Sequence, residues 1–269
     1  VLASVPTGGL RGWTIVAASA LLPATALAQG SDQPDLLGLL QALDLASRPS
    51  ANVTMQGIGS GTVAPGGTIF GSVSGTDRRV DSGSDDVDGS LSLGAGFGDA
   101  ATGIGVQASL NVTSVEDRDF GDSGYLSLKF GHRFGDPDLN LHAAIGFDNI
   151  AAWGDASDNS IETTVALTTF GYLGGAWGKP YMVTLGVGSD ARDGDPGLIA
   201  GFGLGLTEYL GASISYSGDY SNIGLGVKVP GAKGVSLALT CNDVFDEEDS
   251  RRATLSVSFA LKNAFGLGG

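Results

Sequence analysis

One cysteine, Cys241, and two histidines, His132 and His142, are all the thiol and imidazole ligands in this 269-residue chain. A single cysteine excludes an internal disulfide framework and an all-cysteine metal centre. Two histidines are too few for a His-rich one, and no cofactor is expected. Basic residues are scarce as well: 14 Lys and Arg stand against 29 Asp and Glu, for a net charge of −15. A nucleic-acid partner calls for the opposite sign, so none is expected. Charged residues make up only 16% of the chain, below the ~25% usual for soluble domains. Glycine, with 45 residues, is far above its usual share.

Long hydrophobic runs are also absent. The one apolar stretch near the start, Trp13 to Leu22, follows Arg11 and is broken by Pro23. About 20 apolar residues are needed to span a bilayer as a helix. The small residues Ala26 and Ala28 then complete the pattern of an export signal cleaved after Ala28. Residues 1–28 are therefore read as a signal peptide, and 29–66 as a short helix followed by a Gly/Ser/Pro-rich linker. Leu36, Leu39, Leu40 and Leu43 form one helical stripe over 32–48.

From residue 67 onward the period is two. Leu91, Leu93, Ala95 and Phe97 alternate with Ser90, Ser92, Gly94 and Gly96. Leu255, Val257, Phe259 and Leu261 alternate with Ser256, Ser258 and Ala260. One face is apolar and the other is Gly, Ser, Thr and Ala, the signature of half-buried strands. About twelve such segments are expected, at 67–76, 87–98, 103–115, 122–134, 138–149, 160–170, 180–189, 197–206, 210–218, 221–229, 233–242 and 251–261. Most have the length a tilted strand needs to cross a bilayer.

The connections alternate between short turns, such as 135–137 and 230–232, and longer loops at 77–86, 116–121, 150–159, 190–196 and 243–250. The 171–179 connection, long where a turn is due, and the 219–220 turn, short where a loop is due, break the pattern. The longer side carries 19 of the 29 acids. Aromatics flank both ends, with Phe147, Trp153, Tyr216, Tyr220 and Phe245 on the acidic side. Phe97, Phe134, Tyr172, Trp177, Tyr181, Tyr209 and Phe259 lie on the other, as two interfacial girdles would.

With its signal end, dyad strands and turn/loop alternation, the chain resembles the porin-like outer-membrane β-barrels of Gram-negative bacteria. The resemblance covers 67–261 and identifies no specific family. It implies an all-β fold: an antiparallel transmembrane β-barrel of about 12 strands over 67–269, with a short N-terminal helix. It implies an outer-membrane location, with lipid, lipopolysaccharide and the barrel-assembly machinery as partners. It also implies a terminal aromatic, for which Phe259 and Phe265 compete.

The polar face would line the lumen with Lys129, Arg133, His142, Asp148, Glu162 and Lys228, charges that tune a water-filled passage or pair across a closed one. The acids Asp243, Asp246, Glu247, Glu248 and Asp249 form an acidic mouth. They lack the spacing of a Ca²⁺ loop, so the expectation of a divalent-cation site there rests on charge alone. Outer-membrane phospholipases place a Ser two residues after their His. Ala144 stands there after His142, and no enzymatic activity is expected. The leading function is a passive pore for small solutes with a cation-favouring mouth. The alternatives are a non-conducting structural or adhesive barrel, its lumen filled by residues 30–66, and a soluble secreted β-sandwich.

Overall fold

The computed structural model describes residues 52–77, 88–113, 121–135, 140–174, 178–192 and 194–265. The expected signal peptide and the 32–48 helix lie outside these residues. So do seven of the long-side acids: Asp81, Asp85, Asp86, Glu116, Asp117, Asp119 and Asp193.

Twelve antiparallel strands form one closed barrel. They are β1 (Ile69–Thr76), β2 (Asp88–Gly98), β3 (Gly105–Val112), β4 (Gly124–Phe134), β5 (Leu141–Trp153) and β6 (Glu162–Leu173). There follow β7 (Lys179–Arg192), β8 (Asp195–Gly205), β9 (Leu210–Tyr216), β10 (Ser221–Lys228), β11 (Val235–Asn242) and β12 (Arg252–Leu261). Each strand pairs with its sequence neighbours, and β1 closes on β12 from Ile69↔Leu261 to Thr76↔Thr254. Closure leaves no edge strand, so over the paired registers the backbone groups are satisfied within the wall.

The side-chain alternation follows the sequence pattern. Leu93, Leu110, Leu185, Leu198, Leu239 and Leu255 point outward and are exposed. Ser72, Ser92, Thr184, Ser213, Ser236 and Ser256 point inward and are buried. An apolar exterior around a polar interior is the reverse of a soluble barrel, and it suits a hydrocarbon surround.

Several expected boundaries move. β5 continues to Trp153 because two register shifts against β4, between Leu128 and Leu126 and between Leu126 and Gly124, each take up one extra residue. A 3-10 turn, Gly154–Asp158, follows it. The expected long loop at 190–196 is a tight hairpin: Arg192 pairs with Asp195, and Gly194 supplies a φ of +82°. The 77–86 and 243–250 connections remain long.

Residues 52–66, expected as a linker, lie inside the barrel. Asn52 enters at the short-turn rim, its N–H donating to the Thr207 carbonyl at 2.7 Å. The chain rises past Gln56, Gly57 and Ile58, turns near Gly59 and Ser60, and descends through Val63 and Ala64. Gly66 meets Gly98 at the same rim, and β1 begins three residues later. Of residues 52–64 all but Gly59 are buried.

Candidate functional site: the lumen and its re-entrant segment

The inner wall is shaped to this segment. On β8, a Cβ at Gly201 would come within 3.0 Å of Met55 and Ile58, and one at Gly203 would strike the Thr54 carbonyl. On β9 and β10, Gly211 faces the Asn52 carbonyl, Gly224 faces Gln56 and Gly226 faces Thr54, all too closely to admit a Cβ. The descending limb meets the same arrangement: Gly105 and Gly131 leave room for Val63, and Gly96 for the Ala64 and Pro65 carbonyls. Eight inward glycines are thus occupied by segment atoms rather than by empty lumen.

A second feature departs from the polar lining. Ala166, Phe170, Met182 and Ile199 point inward although they are apolar, and they form one buried cluster with Val53, Met55 and Ile58. Apolar side chains at inward positions fit a dry contact and not a water-filled one. The wall also binds the segment through hydrogen bonds. Asn52 Nδ2 donates to the Gly226 carbonyl at 3.0 Å. Gln56 N donates to Ser213 Oγ at 3.2 Å, and Ser215 Oγ donates to the Gln56 carbonyl at 2.6 Å. Gly61 N donates to Thr168 Oγ1 at 2.8 Å.

Burial of Val53, Met55, Ile58 and Val63 stabilises the seated segment by ~1.5–3 kcal/mol per side chain. Against this stand, among the described residues, three buried amide oxygens without a partner, Asn52 Oδ1, Gln56 Oε1 and Asn222 Oδ1. Each costs ~1–3 kcal/mol. The two contributions are of comparable size, and the unpartnered oxygens lie along the β9–β10 flank.

The six lumenal residues all point inward, but they do not converge. Asp148 and Glu162 pair across β5 and β6, with Lys129 and Ser127 of β4 beside Asp148. Asn149 Nδ2 donates to Glu162 Oε1 at 3.1 Å. Glu162 and Asp190 line a small gap above Gly59, at the long-loop end. Arg133 and His142 are cross-strand neighbours near the opposite rim. There His142 Nε2 lies 3.0 Å from Asn140 Oδ1, and its ring stands edge-on to Phe170 at 5.6 Å. Lys228 sits across the barrel, in register with Ser236.

The acidic loop is internally organised. The buried Asp243 carboxylate accepts the backbone N–H groups of Glu247 at 2.5 Å, Glu248 at 3.1 Å and Ser250 at 2.9 Å. Burial raises its pKa, but these hydrogen bonds outweigh it and hold the group below the usual carboxylate value. Glu247 accepts from Ser221 N at 2.7 Å, and Asp246 pairs with Arg251 at 3.7 Å. Glu248 and Asp249 are exposed. Among the described residues, no group of three or more His, Cys, Asp or Glu is placed to hold a metal.

Two features escaped the sequence reading. Arg252 lies within the expected strand 251–261 but is not among the expected lumenal residues, yet it is the first inward residue of β12 and is buried. Extending the β12 parity by one step from Thr254 would have found it. The apolar inward patch on β6–β8 was likewise written in the sequence, as hydrophobic residues on the wrong parity. Of the expected girdle, Phe97, Phe134, Tyr209, Tyr216, Phe245 and Phe259 are exposed, and Phe97 stacks on Phe265 at 6.2 Å. Tyr220 instead turns to Arg252.

No protein-family model and no curated protein matches the chain. Solved structures of outer-membrane β-barrels are similar to it in fold. The KdgM porin in complex with disordered oligogalacturonate is 7% identical, covering 71% of this chain and 98% of its own, with a TM-score of 0.47. The COG4313 outer membrane channel from Pseudomonas putida F1 is 13% identical over 74% of this chain and 97% of its own, at a TM-score of 0.44. The outer membrane protein Omp33 of Acinetobacter baumannii is 13% identical over 72% and 97%, at 0.41.

Proposed function

We propose that this chain is an outer-membrane β-barrel channel for small solutes. The observation that carries the reading is the closed twelve-strand wall with an apolar exterior and an inward face of hydroxyls, amides and glycines. That pattern pairs with lipid on one side and water or polar solute on the other. The acidic long-loop end supports a cation-favouring mouth: Glu248 and Asp249 are exposed there, and Glu162 and Asp190 line the gap beneath it. Ala144 beside His142 supports a role without catalysis.

Purified protein in planar bilayers tests this reading. Discrete conductance steps with a cation-selective reversal potential at low salt are expected. The preference should fade at ~1 M salt, where screening falls to ~3 Å. The seated 52–66 segment favours a second reading, a barrel that conducts nothing at rest and serves as a surface scaffold. Absence of conductance after removal of the segment would select it.

A further inference from the structure

We propose that residues 52–64 are a withdrawable plug. Resting on the channel reading, the inference is that the seated segment closes the lumen and that opening is its exit through the short-turn rim. Two independent features make the seat a built one. Inward glycines stand where the segment passes, and an inward apolar patch on β6–β8 meets Met55 and Ile58. Neither is explained by a lumen left to water.

Topology makes exit simple. Both limbs meet the same rim, at Asn52–Thr207 and at Gly66–Gly98. The segment is therefore a re-entrant loop, and withdrawing it threads no chain through the barrel. Gly66 and Gly67 precede β1, and Gly67 has a φ of +77°, so a hinge stands where the loop must swing. Residues 52–64 carry no charge, so leaving breaks no ion pair. Among the described residues, the hydrogen bonds from the segment to the wall mostly involve side chains, which can re-pair with water. Three amide oxygens among the described residues have no partner in the seat, and withdrawal would let water satisfy them.

The test uses the full chain with Cys241→Ser, carrying Gln56→Cys and Ser213→Cys, whose side chains meet over Gly224. Oxidation should abolish opening events in planar bilayers, and reduction should restore them. Equal conductance in both states overturns the proposal while leaving the channel reading intact. Deletion of 52–64 should give a persistently open pore. If that variant migrates as a folded, heat-modifiable barrel and still passes no current, the channel reading itself fails.

A readout independent of current is thiol labelling of Met55→Cys in the same background. Slow labelling of the folded barrel is expected. Gly201→Val, which crowds Met55 and Ile58, should accelerate it about tenfold, as overpacking of a close contact does. Gly226→Ala serves if that variant does not fold. A folded barrel whose Met55→Cys never reacts, with or without the crowding substitution, overturns withdrawal.

Discussion

Arg252 lies over Tyr220, its guanidinium carbon 5.7 Å from the ring centroid and its Nη2 donating to the phenol oxygen at 3.0 Å. Nη1 also donates to the Ser250 carbonyl at 3.3 Å. The side chain thus ties the end of the 243–250 loop to the β9–β10 turn. Burial, with Asp219 and Asp243 nearby, raises the Tyr220 pKa, so its hydroxyl stays protonated. A double-mutant cycle of Arg252→Met with Tyr220→Phe should give a coupling of about 1–2 kcal/mol in urea unfolding from lipid vesicles. Arg252→Lys should not restore it, because an ammonium cannot both stack and fork. Additive effects would refute the pairing.

The lipid-facing assignment predicts a depth-dependent penalty. Leu185 sits mid-strand on β7 and is 54% exposed. Leu185→Arg should cost about 2–4 kcal/mol in reversible folding into bilayers. Leu185→Ile should cost under about 1.5 kcal/mol. Similar small losses for both would place β7 away from hydrocarbon.

The apolar floor under the segment should behave as a packed core. Met182 is fully buried against it. Met182→Ala should cost about 2–5 kcal/mol in a barrel with the segment present. In a barrel lacking 52–64 the same substitution should cost less, because only wall neighbours such as Phe170 remain to lose. An equal cost in the two backgrounds would show that Met182 does not support the segment.

Asp243 predicts an acid response of the 243–250 loop. Its folded-state pKa is depressed below the ordinary 3.8. The stabilisation is therefore fully present above that value and is lost as the pH falls through the lowered pKa. Trypsin-resistant at neutral pH, the loop should be cut after Arg251 in Asp243→Ala. Amide exchange at Glu247 and Ser250 should accelerate in the wild type only below about pH 4. Wild-type protection in the variant would rule out this role for the carboxylate.

The strands were legible because their signal is local. Leu91–Phe97 and Leu255–Leu261 alternate with small polar residues, and a period of two leaves only the choice of which face is wet. The inward direction of Lys129, Asp148 and Lys228 followed from the same parity. The extent of β5 did not, because bulges arise from pairing with β4 and carry no composition signal. Nor did the short β7–β8 hairpin, where DARDGDP reads as a loop although Arg192 and Asp195 pair across it.

By itself, the sequence determined the class of wall: twelve alternating segments, an apolar outer face, and long connections rich in acids. Those properties depend on residues near one another in the chain. Only the tertiary structure decided what fills the interior. In the sequence Gly201, Gly203 and Gly226 leave space for either water or a plug, until Thr54, Met55 and Ile58 are seen against them. Residues 52–66 look like a linker until closure brings β8 and β10, some 150 residues distant in sequence, around them. Whether a glycine leaves a void or a seat depends on its partner, and here the partner is remote in the chain.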